Sequence, residues 1–177
     1  RMLSDGIDDT RVADLFNAVT LDRGDIDDLL EFVDMARSSG EWGAADQRSL
    51  GELHARLLWR QGDLIDTLDV VDEMLEDDAE DLDLIMWRAR LLDATGEIAD
   101  AKTAYQQVVE SDDRPDLVAM AQLRLALLSL QSSDDDERAA LANHARGRED
   151  AEFRNRAAIV LAVIGRPADA IELFEID

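Results

Sequence analysis

The chain has 177 residues, 46% of them hydrophobic, which is enough for a continuous core and too many for a mainly disordered chain. Acidic residues outnumber Lys plus Arg by 42 to 18, and a formal charge of −24 repels nucleic-acid phosphates and anionic lipid, so neither is expected as a partner. The absence of cysteine excludes disulfides, thiolate metal sites and a Cys nucleophile, and the longest apolar stretch, residues 157–164, is far below the ~18 residues a membrane helix needs.

Helical spacing of apolar residues, interrupted by short polar turns, predicts ten helices in five hairpins: 9–22 with 25–38, 43–61 with 64–77, 81–95 with 98–111, 115–131 with 135–146, and 150–164 with 167–176. The first hairpin turns at Arg23-Gly24-Asp25. The second turns at Gln61-Gly62-Asp63 and continues with Leu64, Leu68, Val71 and Leu75 on one helical face. The third turns at Thr95-Gly96-Glu97 and continues with Ile98, Ala101, Tyr105 and Val108. The fourth lacks a glycine, and its turn is expected near Ser132-Ser133. The fifth turns at Gly165-Arg166 into a short helix from Pro167 that carries an apolar stripe of Ile171 and Phe174. No strand is needed anywhere.

The turns share one period. Gly62 to Gly96 is 34 residues and Gly96 to Gly165 is 69, two steps of the same size. Seven residues before these glycines stand Ala55, Ala89 and Ala158, small side chains where two helices approach closely. Four before come Leu58, Leu92 and Leu161, and two after come Leu64, Ile98 and Pro167, which would close the apolar seam at the turn. Five past the glycine stand Thr67, Ala101 and Ala170, and nine past stand the bulkier Val71, Tyr105 and Phe174. The unit around Gly24 departs, with Asn17 and Leu29 at the small positions.

On these residues the sequence resembles the tetratricopeptide repeat family over nearly all its length. The resemblance implies an all-α fold, a right-handed solenoid of about five antiparallel helix hairpins forming a single domain over residues 1–177. Arg1 before Met2, and the uncovered stripe of Ile171 and Phe174, lead us to expect a fragment of a longer chain, continued by further repeats or a capping helix, or else a second copy packed on that end.

Little in the chain suggests chemistry. His54 and His144 are the only histidines, and neither has a ligand spacing; His54 is expected on the inward side of its helix and His144 at the surface. The clusters Asp22, Asp25, Asp27 and Asp28, then Asp77 and Asp78, then Asp134, Asp135 and Asp136 lack the alternation, glycine and final glutamate of a calcium loop, and are expected to cap helix starts. There is no phosphate-binding glycine loop and no nucleophile elbow. No enzyme activity, metal or cofactor is expected.

A more specific feature is a set of arginines at the repeat's own period. Arg56 and Arg90 each lie six residues before a turn glycine, and Arg124 follows after another 34, with Trp59 three residues from Arg56 and Trp87 three before Arg90. In the family the chain resembles, the first helices of successive hairpins line a concave groove, so these residues are the expected partner-binding set. The expected function is a scaffold that holds a segment of another protein, with an acidic or phosphorylated segment suited to the arginines. The competing expectation pairs each arginine with a carboxylate of a neighbouring helix. The alternative function is a structural or oligomerisation element, self-associating through the C-terminal end. The expected location is cytoplasmic.

Overall fold

The computed structural model describes residues 23–39, 42–111, 114–129 and 135–175. These form α1 (Arg23–Ser38), α2 (Ala44–Gln61), α3 (Leu64–Asp77), α4 (Leu82–Thr95), α5 (Ile98–Glu110), α6 (Pro115–Leu128), α7 (Asp135–Arg146), α8 (Ala151–Val163) and α9 (Pro167–Phe174), with no strand among the described residues. Two compact units divide the chain: Arg1–Ala79, containing α1 to α3, and Glu80–Asp177, containing α4 to α9. The helix expected over 9–22, with Asn17, and the turn expected at Ser132-Ser133 lie outside the described residues. Gly24, expected in a turn, instead lies inside the first turn of α1.

Three turns are built alike, for a reason visible in the sequence. Gly62, Gly96 and Gly165 have φ of 89°, 89° and 84°, a left-handed conformation that a side chain would strain. The residue after each glycine then donates its backbone N–H to the carbonyl four residues before the glycine: Asp63 to Leu58 at 3.0 Å, Glu97 to Leu92 at 2.9 Å and Arg166 to Leu161 at 2.8 Å. The three leucines that supply these carbonyls are themselves buried. One residue type at one position thus seals the apolar seam and satisfies the helix end. Past the turn, Leu64 and Ile98 are half-buried as expected, but Pro167 is exposed. It stands at the first position of α9, where its missing N–H costs nothing.

In the first unit α2 packs on both α1 and α3. Ile26 and Val33 of α1 join Leu57 of α2 in one cluster, with Leu29, Leu30 and Leu53 against it. Gly51 lets α2 approach α3, since a Cβ there would sit 3.0 Å from the Met74 sulfur. Thr67, at a position that takes alanine in the later hairpins, is fully buried and directs its hydroxyl to the Asp63 carbonyl at 2.7 Å.

In the second unit each helix packs on the next, and α4 also touches α6, α6 touches α8 and α7 touches α9, which is the pattern of hairpins stacked in order. Ala89, Ala158 and Ala101 have no exposure, and Ala170 has 4%. Leu141, Phe153, Ala157, Leu161, Ile164 and Leu173 belong to one core cluster across α7, α8 and α9. Fully burying a leucine of this kind contributes roughly 1.5–3 kcal/mol. Asp81 and Asp150 cap α4 and α8, each accepting two backbone N–H groups.

Of the aspartates expected at helix starts, Asp22 and Asp134 lie outside the described residues, Asp25 lies in the first turn of α1 and Asp135 and Asp136 open α7, whereas Asp77 and Asp78 close α3 at its C-terminal end. Negative charge is unfavourable there; Arg48 lies 3.5 Å from Asp78 and offsets part of it. Ile171 and Phe174, the stripe expected to lie uncovered, are 58% and 60% exposed.

Candidate functional site

Arginine and apolar side chains meet in one groove of the second unit. It has a volume of about 250 Å³ and is walled by α4, α6 and α8, the first helices of three consecutive hairpins. Arg90, Arg124 and Arg156 supply its polar part, and Met86, Met120, Leu123, Leu127 and Val160 supply the rest. Arg90 and Arg124 stand one repeat apart, as do Met86 and Met120, so identical helix positions face the same space in successive hairpins.

The three guanidinium groups are not equally engaged. Arg90 is exposed and forms no ion pair with a carboxylate among the described residues. Arg124 is 52% exposed and reaches Asp93 of α4 at a loose 3.9 Å. Arg156 is 64% exposed and pairs closely with Glu152, one turn earlier on α8. Exposed pairs of this kind contribute only ~0–1 kcal/mol, so a ligand anion displaces them at little cost. Each guanidinium presents a planar fork of donors suited to a carboxylate or phosphate.

Tyr105 of α5 lies fully buried beside this arrangement. Its hydroxyl makes no hydrogen bond of normal length and angle, although the Asp93 carboxylate lies near enough to act on it. Burial, and secondarily the Asp93 carboxylate, push the phenol up to about 12, while Arg124 and Arg90 act in the opposite sense. The Tyr105 hydroxyl thus senses the same charges that edge the groove.

The expected partner-binding residues divide accordingly. Arg90 and Arg124 come together in the groove. Trp87 is half-buried on α4 and does not line it. Arg56 and Trp59 belong to the first unit, where Arg56 is 44% exposed with Glu52 of its own helix at 3.9 Å and Trp59 is 39% exposed. The competing expectation of interhelix pairing fits Arg124, through Asp93, and fits neither Arg56 nor Arg90. Sequence reasoning missed Arg156 and the apolar floor, although the spacing of Met86 and Met120 carried the same period as the arginines.

Of the histidines, His54 is inward, its side chain 12% exposed, with Asp34 at 3.2 Å and Arg37 at 2.7 Å. His144, expected at the surface, is half-buried because its ring packs edge-on against Phe153, centroids 5.6 Å apart. Among the described residues no group of acidic or histidine side chains is arranged to hold a metal ion, and no helix is long and apolar enough to cross a membrane.

Residues 58–127 match the family model described as tetratricopeptide repeat. This stretch consists of tetratricopeptide repeats. It contains the groove's Met86, Arg90, Met120, Leu123 and Arg124, together with two of the three glycine turns. Solved structures extend the likeness of fold to nearly the whole chain. A MamA double mutant (MamA RS-1 ArsTM) superposes with a TM-score of 0.65 at 15% identity, covering 96% of this chain and 92% of its own. YrrB, described as a TPR protein with an unusual peptide-binding site, gives 0.62 at 16% identity, covering 97% and 84%. BtubC from P. vanneervenii gives 0.66 at 16% identity, covering 94% and 76%. At such identities the likeness is one of fold. No curated protein matches the sequence.

Proposed function

We propose that this protein is a binding module that acts by holding an extended segment of another protein in the groove between α4, α6 and α8, and that it performs no chemistry of its own. The observation that carries the reading is the groove's lining: three arginines at the edge of an apolar floor, one of them without an ion-pair partner among the described residues, in a chain of net charge −24. Such a lining suits a segment bearing a carboxylate or phosphate next to an apolar side chain. The apolar part adds affinity through burial, and the guanidinium forks select the anion. The tetratricopeptide repeats of residues 58–127, and a peptide-binding relative of the same fold, support the same class of function. Trp87 of α4 adds to the binding surface in this reading, and Arg56 and Trp59 form a separate candidate contact on the first unit.

The test is a panel of acidic and phosphorylated peptides titrated against the natural chain and against the double variant Arg90→Glu, Arg124→Glu. We expect peptides with an anion beside an apolar residue to bind, and the double variant to lose at least ~10-fold in affinity, about 1.4 kcal/mol. Binding of the same peptides with unchanged affinity would remove the arginines from the site.

A further inference from the structure

The first unit contains a cluster of charges that the groove of the second unit does not use. Arg37 of α1, His54 of α2 and Glu73 of α3 are joined in a row: the Arg37 Nη1 lies 2.7 Å from His54 Nδ1, and its Nη2 donates to Glu73 Oε2 at 2.7 Å. On the other side of the imidazole, Asp34 Oδ1 lies 3.2 Å from Nε2. A guanidinium has only donors, so Nδ1 must be the acceptor in this contact. The ring proton then sits on Nε2, where it faces a carboxylate. The geometry therefore selects the neutral ring and a single tautomer.

A second proton cannot enter without breaking the row. It would have to bind Nδ1, and N–H would then face N–H across 2.7 Å, with two positive groups in contact. We propose that His54 is an acid-sensitive latch of the first unit: protonation of Nδ1 expels the Arg37 guanidinium and undoes the tie that joins α1, α2 and α3. Arg37 and Glu73 also line a pocket of about 640 Å³ in the same unit, together with Trp42, Gln47 and Arg48, so opening the latch remakes one wall of that pocket.

Among the described residues, the charged groups that act most on the ring come from the two helices packed on α2. Asp34 and Arg37 come from α1, and Glu73 and Asp66 from α3. The three carboxylates favour the imidazolium, but burial of the ring outweighs them and Arg37 adds to it, so the His54 pKa lies below its ordinary 6.5. Asp34 is 62% exposed, so water weakens its opposing pull. Above pH 6.5 the ring is neutral in folded and unfolded chains alike, and His54 makes stability no more sensitive to pH. Below 6.5 the unfolded chain takes a proton that the folded chain refuses, and the folded-to-unfolded ratio falls until the folded pKa is reached, tenfold for each unit of lowering.

The experiment combines three measurements on the full chain. Proton NMR follows the ring signals of His54 and His144 from pH 8 to pH 4.5, with His144→Gln for assignment. Urea unfolding compares the natural chain with His54→Gln at each pH, since a glutamine amide can accept from Arg37 and donate to Asp34 but cannot titrate. Amide exchange, corrected for its intrinsic pH dependence, then compares α1 with α5. We expect a His54 pKa below 6.5 that rises in Arg37→Gln. We also expect a natural chain that loses stability relative to His54→Gln as pH falls, and faster exchange in α1 with α5 unchanged. A ring pKa at or above 6.5, a parallel loss of stability in both proteins, or equal acceleration in α1 and α5 would overturn the latch. The ring titration and amide exchange use the natural fold, so they decide the matter even where His54→Gln fails to fold.

Discussion

Tyr105→Phe removes a single oxygen from the second unit and leaves the ring in place. Tyr105 has no exposure and its hydroxyl makes no hydrogen bond of normal geometry, the Asp93 carboxylate acting on it only from nearby, so the folded chain recovers little of the desolvation of that group. An unsatisfied buried hydroxyl costs roughly 1–3 kcal/mol. Phenylalanine keeps the ring and its burial, and the oxygen's space is too small to leave a costly cavity. A net gain of about 1 kcal/mol is expected, which for a chain of this size raises Tm by about 2–4 °C. Alkaline pH supplies a second measure. With the phenol held at about 12 in the fold against 10 in the unfolded chain, its contribution is fully present below pH 10. It is lost as pH rises from 10 to 12, by up to about 1.4 kcal/mol per pH unit, and Tyr105→Phe lacks this slope. Circular dichroism melting at pH 7, and urea unfolding at pH 9 to 11, measure both effects. A fall in Tm would refute the reasoning, because it would mean that Asp93 accepts a hydrogen bond from the phenol worth about 1.5–3 kcal/mol.

Two further outcomes follow from packing and from charge. Ala89→Leu and Ala158→Leu insert bulk where neither alanine has any exposure, and each should cost ~1–3 kcal/mol in urea unfolding; a neutral effect at one site and a large one at the other would argue against equivalent helix approaches. Added NaCl should raise Tm, because ions screen the self-repulsion of a chain of charge −24 over ~8 Å at physiological strength. A Tm that falls between low and molar salt would mean that the many exposed arginine–carboxylate pairs outweigh that repulsion.

What could be seen in the sequence was what repeats. A left-handed glycine, a leucine four residues before it and an alanine seven before it each carry little alone, but three turns with the same hydrogen bond leave one spacing for all of them. Arg90 and Arg124 were visible for that reason. Met86 and Met120 share their period, yet methionine on a helix face ordinarily signals core, and only the structure puts these two under the arginines. Arg156 was invisible because it reaches the groove from nine residues before its glycine, where Arg90 stands six before. Asp77 and Asp78 misled for a different reason: runs of aspartate favour helix starts on average, but the position of α3 was fixed by its buried Val70, Val71 and Met74, and the aspartates fell at its end.

The row of Arg37, His54 and Glu73 lies beyond any pattern of this kind. Its members are 17 and 19 residues apart, and nothing at the 34-residue period repeats them, since Arg88 stands where His54 would return. Period fixes where backbones run and which faces meet. The partners that charged side chains choose depend on interhelical distances to within about an ångström, because a hydrogen bond is lost beyond ~3.5 Å. The two proposed properties therefore come from different levels of the same chain. The groove follows from positions that every hairpin shares, so its general character could be anticipated. The latch depends on one histidine held between two helices, and a single substitution at Arg37 should abolish it while leaving the repeat intact.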